Sequence, residues 1–330
     1  AFASGATFTT SQLSTYYAGV ALEGGTFSPN FGADIYASST WTAGNIIGSG
    51  SGAIALHGNM AFSGSSNRSA QNATIFNYGT FTQSGGQFDL NNTLFGNNST
   101  YQLQAASSQI AIRTFGTGEF ANNSSGTALF ADTMTGIHGV SGKFSNFGSA
   151  ALTVASGTFQ FPGGSAHAGA FAVAAAATLQ FQGTTDFNAG ATFSGAGTVQ
   201  FFSGSYNVNT DLTIPSLLNN AVIAVASGKT LTATSPTLSG GTLTGAGTVA
   251  VSGTTTVALS TTISGNLVNT GTLNLSGSNR QLLLNSPGVL TNAASATLAI
   301  STTANPGITG SGQLNNSGLI TTTGTAGVAV

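Results

Sequence analysis

The sequence predicts an all-β chain wound as a parallel β-helix, a β-solenoid of about 24 residues per turn. Three observations carry this expectation. The first is a repeat. Asn77, Asn98, Asn122 and Asn146 follow one another at 21, 24 and 24 residues, and the apolar positions Phe88, Ile112, Ile137 and Phe161 at 24, 25 and 24. Asn269, Asn292 and Asn316 resume the series at 23 and 24. Such self-similarity decides a fold before any local propensity does. The second is alternation. Stretches such as Thr80-Phe81-Thr82-Gln83 and Thr158-Phe159-Gln160-Phe161 place apolar residues at every other position, the period of a strand with one buried face. The third is corner chemistry. Gly, Asn and Ser separate the strands every few residues, and Gly and Asn enter left-handed backbone at low cost.

Strands this short cannot form a flat sheet of ordinary length. About three per turn, coiled and stacked at ~4.8 Å, let each strand pair in parallel with its equivalent one turn away. Apolar side chains then stack inside as ladders, while backbone groups find partners between turns. For 330 residues this amounts to about fourteen turns and a rod near ~65 Å long. An antiparallel sandwich or jelly roll also has short strands and Gly-rich turns, but sandwiches rarely repeat sequence at a fixed period.

Along the chain, residues 1–74 repeat least clearly and contain Tyr16, Tyr17, Tyr36 and the single Trp, Trp41. Terminal repeats of solenoids are atypical, so this part reads as an N-terminal cap or an irregular first section. Residues 75–206 hold aromatic-core turns. The Ala-rich run 168–177 is the best helical candidate, but it leads into the strand slot Thr178-Leu179-Gln180-Phe181 and reads as a tight turn with a small interior. Every Phe lies at or before Phe202, and residues 207–330 use Leu, Val, Ile, Ala and Thr instead. No Pro-rich or charged hinge marks position 207, so one continuous domain whose interior changes from aromatic to aliphatic is expected, with two domains as the rival reading.

Composition removes several functions. Charged residues make up 4% of the chain and the net charge is −2, so five Lys and Arg cannot supply the basic stripe that a nucleic acid requires. A hydrophobic content of 40% with little charge is not the signature of disorder. No window approaches the roughly 18 uninterrupted apolar residues of a membrane helix, so no membrane insertion is expected. The absence of Cys excludes disulfides and thiolate metal sites. The opening Ala1-Phe2-Ala3-Ser4-Gly5, with neither Met nor a basic start, is how a secreted chain begins after signal-peptide removal.

The repeats Thr237-Leu238-Ser239-Gly240-Gly241-Thr242-Leu243-Thr244-Gly245-Ala246-Gly247-Thr248-Val249 and Val268-Asn269-Thr270-Gly271-Thr272-Leu273-Asn274-Leu275 resemble the β-helical repeats of autotransporter passengers and filamentous-haemagglutinin-like bacterial surface proteins. The resemblance covers most of residues 75–330. It implies an extracellular stalk, adhesin or structural surface fibre.

Chemistry is sparse. His57, His138 and His167 are isolated in sequence, and no metal or cofactor is expected. A polysaccharide-degrading β-helix needs paired carboxylates or a carboxylate with a basic group on one face. Asp89, Arg113 and Asp186 are the candidates, and Asp89 and Arg113, one period apart, read better as a surface ion pair. Thr230, Thr232, Thr234 and Thr254-Thr255-Thr256 raise ice binding, but Thr also simply favours strands. The leading expectation is a non-enzymatic extracellular subunit that assembles head to tail with copies of itself. Its last turn and tail, with Leu319, Ile320, Val328 and Val330, carry no charge and form the expected assembly interface. The alternative is an adhesin or stalk segment that binds surface glycans, and a glycan-active enzyme ranks third.

Overall fold

The computed structural model describes residues 1–10, 12–48, 52–104, 110–130, 137–304, 306–323 and 327–330. Its described regular elements are all strands, two to nine residues long, and their pairings are parallel. The fold is a β-solenoid. The chain falls into two compact units, Ala1–Leu179 and Gln180–Val330, so the compositional change at residue 207 lies inside the second unit.

In the first unit, one sheet is built from Ser14–Tyr16, Ala33–Ile35, Ala53–Leu56, Thr74–Asn77, Leu94–Asn97, Glu119–Asn122, Lys143–Asn146 and Ser165–His167, each one turn beyond the last. From Thr74 onward every turn adds two more strands, such as Thr80–Gln83 and Phe88–Asn91. The earlier turns differ. Ala21–Pro29 and Ser39–Ile47 are single nine-residue strands, and Ser39–Ile47 pairs with both Met60–Phe62 and Arg68–Gln71. The two-sided coil therefore becomes three-sided where residues 63–67 intervene. Its turns are shorter too: Val20 N donates to Ser39 Oγ across 19 residues. This is why residues 1–74 do not align with a 24-residue repeat. The long strands bend at Gly44, where φ is +89° and an added Cβ would strike the Gly25 carbonyl.

The guanidinium of Arg68 holds the corner where the third side begins. Arg68 lies inside the coil at 1% exposure, in register with Phe88. Its Nη2 donates to the carbonyls of Thr42 and Ser63, its Nη1 to that of Gly85, and its plane covers the Phe62 ring at 4.1 Å. Burial lowers its pKa to about 10.

The core consists of ladders. Phe95, Phe120 and Phe144 are fully buried and stack at 5.1 and 5.5 Å between ring centres. One slot along the same strands, buried asparagines form an amide ladder. Asn77 Nδ2 donates to Asn97 Oδ1, Asn97 to Asn122, and Asn122 to Asn146, each at 2.8 Å. The same Nδ2 groups also donate to the carbonyls of Thr100, Thr127, Ala151 and Ala170, tying each corner shut. Two expected ladder members are corrected here. Asn98 is not the inward residue; Asn97 is, because that turn is 20 residues long and the next is 25. A slip of one residue moves a side chain to the opposite face, and Asn98 stands on the outer corner. Ile137 likewise does not lie over Ile112. The register shifts between Ile110 and Ile112 in Ile110–Phe115, so Val140 takes the buried slot above Ile112, while Ile137 pairs with Thr158 and is 50% exposed. Phe88, Ile112 and Phe161 are buried as expected.

The second unit has three distinct sides. Its third sheet runs Leu212–Ile214, Thr230–Thr234, Thr248–Ser252, Asn266–Asn269, Val289–Asn292 and Gln313–Asn316. Turns here start short, with Leu231 over Leu212 and Val249 over Leu231, and lengthen to 23 and 24 residues where Asn269 donates to Asn292 and Asn292 to Asn316. This second amide ladder matches the expected positions. The aliphatic column Leu212, Leu231, Val249, Leu267 and Leu290 is buried throughout.

The amide ladder is testable by contrast. Asn97→Ala leaves the buried Asn122 Oδ1 without its donor and is expected to destabilise the fold by about 2–3 kcal/mol. The neighbouring Asn98→Ala should cost about 0.5 kcal/mol or less. Denaturant unfolding monitored by circular dichroism measures both.

Candidate functional site

The charged side chains that the sequence brings forward meet across turns. Asp89 and Arg113 face each other in register, with Arg113 Nε to Asp89 Oδ1 at 2.9 Å and Nη2 to Oδ2 at 2.7 Å. That hydrogen bond raises the Arg113 pKa, but the guanidinium is about one-third exposed, so the pair contributes less than about 1 kcal/mol. Lys143 binds Glu119 at 2.6 Å, and Glu119 also accepts from the Ser145 hydroxyl. Asp186, in the second unit, accepts from Asn207 Nδ2 at 2.6 Å. These contacts tie turn to turn. Among the described residues, no three His, Asp or Glu side chains gather as a metal site would require. The Thr rows are mixed: Thr230 pairs with Thr248, Thr232 with Ala250, and Thr256 with Asn274, while Thr255 points inward and is buried.

The histidines divide. His138 and His167 are fully buried in the first unit, with His138 in register with Phe159 and His167 with Asn146. His167 Nε2 lies 2.9 Å from the Ser165 hydroxyl, and burial lowers its pKa to about 3. His57 is outside. It belongs to an aromatic column that the sequence reading did not find.

That column stands at the corner following the first sheet's strands. Tyr36 N donates to Tyr16 O, His57 N to Ile35 O, and Tyr78 N to Leu56 O, so the backbone carries one residue per turn to the same outward place. Tyr17 and Tyr36 stack at 5.5 Å with 18° between planes, Tyr36 and His57 at 4.4 Å and 5°, and His57 and Tyr78 at 5.2 Å and 11°. His57 Nε2 sits 3.2 Å from Asp34 Oδ1. Tyr17 is 81% exposed, Tyr36 and Tyr78 each 48%. The next turns continue the corner with Asn98 and Asn123, whose amides bond at 2.9 Å. Two residues before each column member, Thr15, Asp34, Ala55 and Phe76 form a parallel outward row. The row ends at Gly96, where an added Cβ would lie 2.6 Å from the Phe76 ring. The signal for the column was its own spacing of 19, 21 and 21 residues, shorter than the repeat of the later turns.

The expected assembly residues also separate. Ile320 continues the inward position of Leu298 and is half-buried, and Val328 continues that of Ile308 at 38% exposure. Leu319 instead aligns with Thr297 on the outer face and is 57% exposed, and Val330 is 49% exposed.

Compared with known proteins, the chain matches no family model, no curated protein and no solved structure.

Burial of His167 makes a pH prediction. The unfolded chain binds its proton near the ordinary value of 6.5 and the folded chain only near 3, so protons favour unfolding between those values. The stabilisation by the neutral ring is complete above pH 6.5 and is lost as pH falls toward 3, by up to a few kcal/mol. Melting curves from pH 7 to 4 should show this loss, and His167→Asn, which suits the slot above Asn146, should flatten it.

Proposed function

We propose that this chain is a non-enzymatic extracellular structural protein, a β-solenoid subunit that stacks end to end into a surface fibre, filament or sheath. The observation that carries the reading is the coil itself: parallel turns pair strand to strand along one axis, as Thr297–Thr302 does with Leu319–Thr322, and the same pairing between copies would continue the coil. A head-to-tail contact of this kind does not close on itself and so builds filaments.

Two further features support the reading. With charges at 4% of residues, contact between copies desolvates few ions. The carboxylates that a glycan-cleaving enzyme would need are bound to neighbours in adjacent turns: Asp89 to Arg113, and Asp186 to Asn207. The extracellular setting follows the resemblance to bacterial surface β-helices and the Cys-free composition.

Sedimentation velocity and negative-stain electron microscopy test assembly. The wild-type protein should grow into linear particles as its concentration rises. Ile320→Lys with Val328→Lys should stay monomeric while keeping the same β-sheet circular dichroism. Uniform short monomers of the wild type at high concentration overturn the proposal.

A further inference from the structure

We infer that the aromatic column Tyr17, Tyr36, His57 and Tyr78, with Asp34 beside it, is a binding strip for a neutral, linear oligosaccharide. The inference is independent of end-to-end assembly, since it concerns the outer side of the first unit.

Phe31, Phe115 and Phe147 of the same unit are also exposed, but the column joins its exposed rings into one continuous stack. Phe62, Phe81, Phe88, Phe95, Phe120 and Phe144 in the same unit are at most 1% exposed. Four stacked rings at an outer corner therefore need a reason, because each holds apolar surface in water at a cost of about 25 cal/mol per Å2. The rings are also well ordered for binding. Backbone hydrogen bonds between turns fix their bases, and mutual stacking limits their rotation, so little freedom remains to be lost on contact. Tyrosine offers both an apolar ring and a hydroxyl for such contacts.

Size selects the occupant. Four turns at ~4.8 Å and two neighbouring side-chain rows make a strip about 20 Å long and about 10 Å wide. That is roughly 200 Å2, against the ~800 Å2 per partner of a stable protein interface. A narrow chain fits and a globular partner does not. A peptide strand would add to an open sheet edge, but Ala33–Ile35 and Ala53–Leu56 are already paired on both sides.

Charge narrows the choice further. The acidic group on the strip is Asp34, bonded to His57, and a carboxylate there repels phosphate or uronate chains. A neutral oligosaccharide meets the remaining requirements. Its hydroxyls find the three phenols, Thr15 and the second Asp34 oxygen, while its C–H surfaces pack on ring edges and on the open face of Tyr17.

The test uses the full chain with cellohexaose and chitohexaose as probes and a hexagalacturonate as the charged comparison, followed by titration calorimetry and by NMR of the tyrosine rings. At least one neutral hexasaccharide should bind saturably and shift the signals of Tyr17, Tyr36 and Tyr78. Tyr17→Ala with Tyr36→Ala should weaken it about tenfold or more, while Phe115→Ala, which removes an exposed ring elsewhere, should leave it unchanged. Both sets of substitutions lie at exposed positions, and an unchanged melting curve verifies folding. Absence of binding by both neutral probes, tighter binding of the hexagalacturonate, or equal binding by the double variant each overturns the inference.

Discussion

Every inward side chain of this protein must fit the side chain in the same slot one turn above and one turn below. Parallel strands spaced at ~4.8 Å leave no alternative, since equivalent positions lie closer than the width of most side chains. Like therefore often stacks on like, although Arg68 lies in register with Phe88 and His138 with Phe159. Phe95, Phe120 and Phe144 form one column, and Asn97, Asn122 and Asn146 form the next. An aromatic ring stacks on another with modest gain beyond its buried area. An amide stacks on another by giving its N–H to the oxygen beyond, which satisfies polar groups that would otherwise be costly to bury.

The same constraint explains how the coil changes along each unit. In the first unit, the nine-residue strands give way to paired shorter ones once residues 63–67 create a third side, and a third side widens the interior. Large rings fill it, and Arg68 fills the corner with a charge held by carbonyl dipoles and the Phe62 ring. In the second unit, the aromatic slots end with Phe201 and Tyr206, which stack at 4.2 Å, and the third sheet begins at Leu212 with aliphatic columns. Leu, Val and Ile fill these columns both where turns take 18 or 19 residues and where they lengthen to 23 and 25.

Outside, stacking acts on whatever residue the corner presents. Where the outer faces of neighbouring strands present carboxylate and base, as at Asp89 and Arg113, ion pairs between turns result. Where the corner presents Tyr and His, a continuous aromatic column results, held by the same backbone bonds that align the core. A rigid row of outward groups at regular spacing is a natural consequence of the fold, and its chemistry is free to vary because the core does not depend on it.

The fold class and the identity of most core ladders were legible in the sequence, because a period of about 24 residues and strand alternation are properties of the chain alone. Asn77, Asn122, Asn146, Asn269, Asn292 and Asn316 could be placed in this way. Register within a turn could not be read. Asn97-Asn98 offers two identical amides, and only the length of the preceding corner decides which points inward. Ile137 and Val140 pose the same choice, and the structure resolves it by shifting the register after Ile110. The Tyr17, Tyr36, His57 and Tyr78 column escaped because its turns are shorter than those that set the period. Sequence determines which residues recur; the closing of each loop against the turn beneath determines which of them meet.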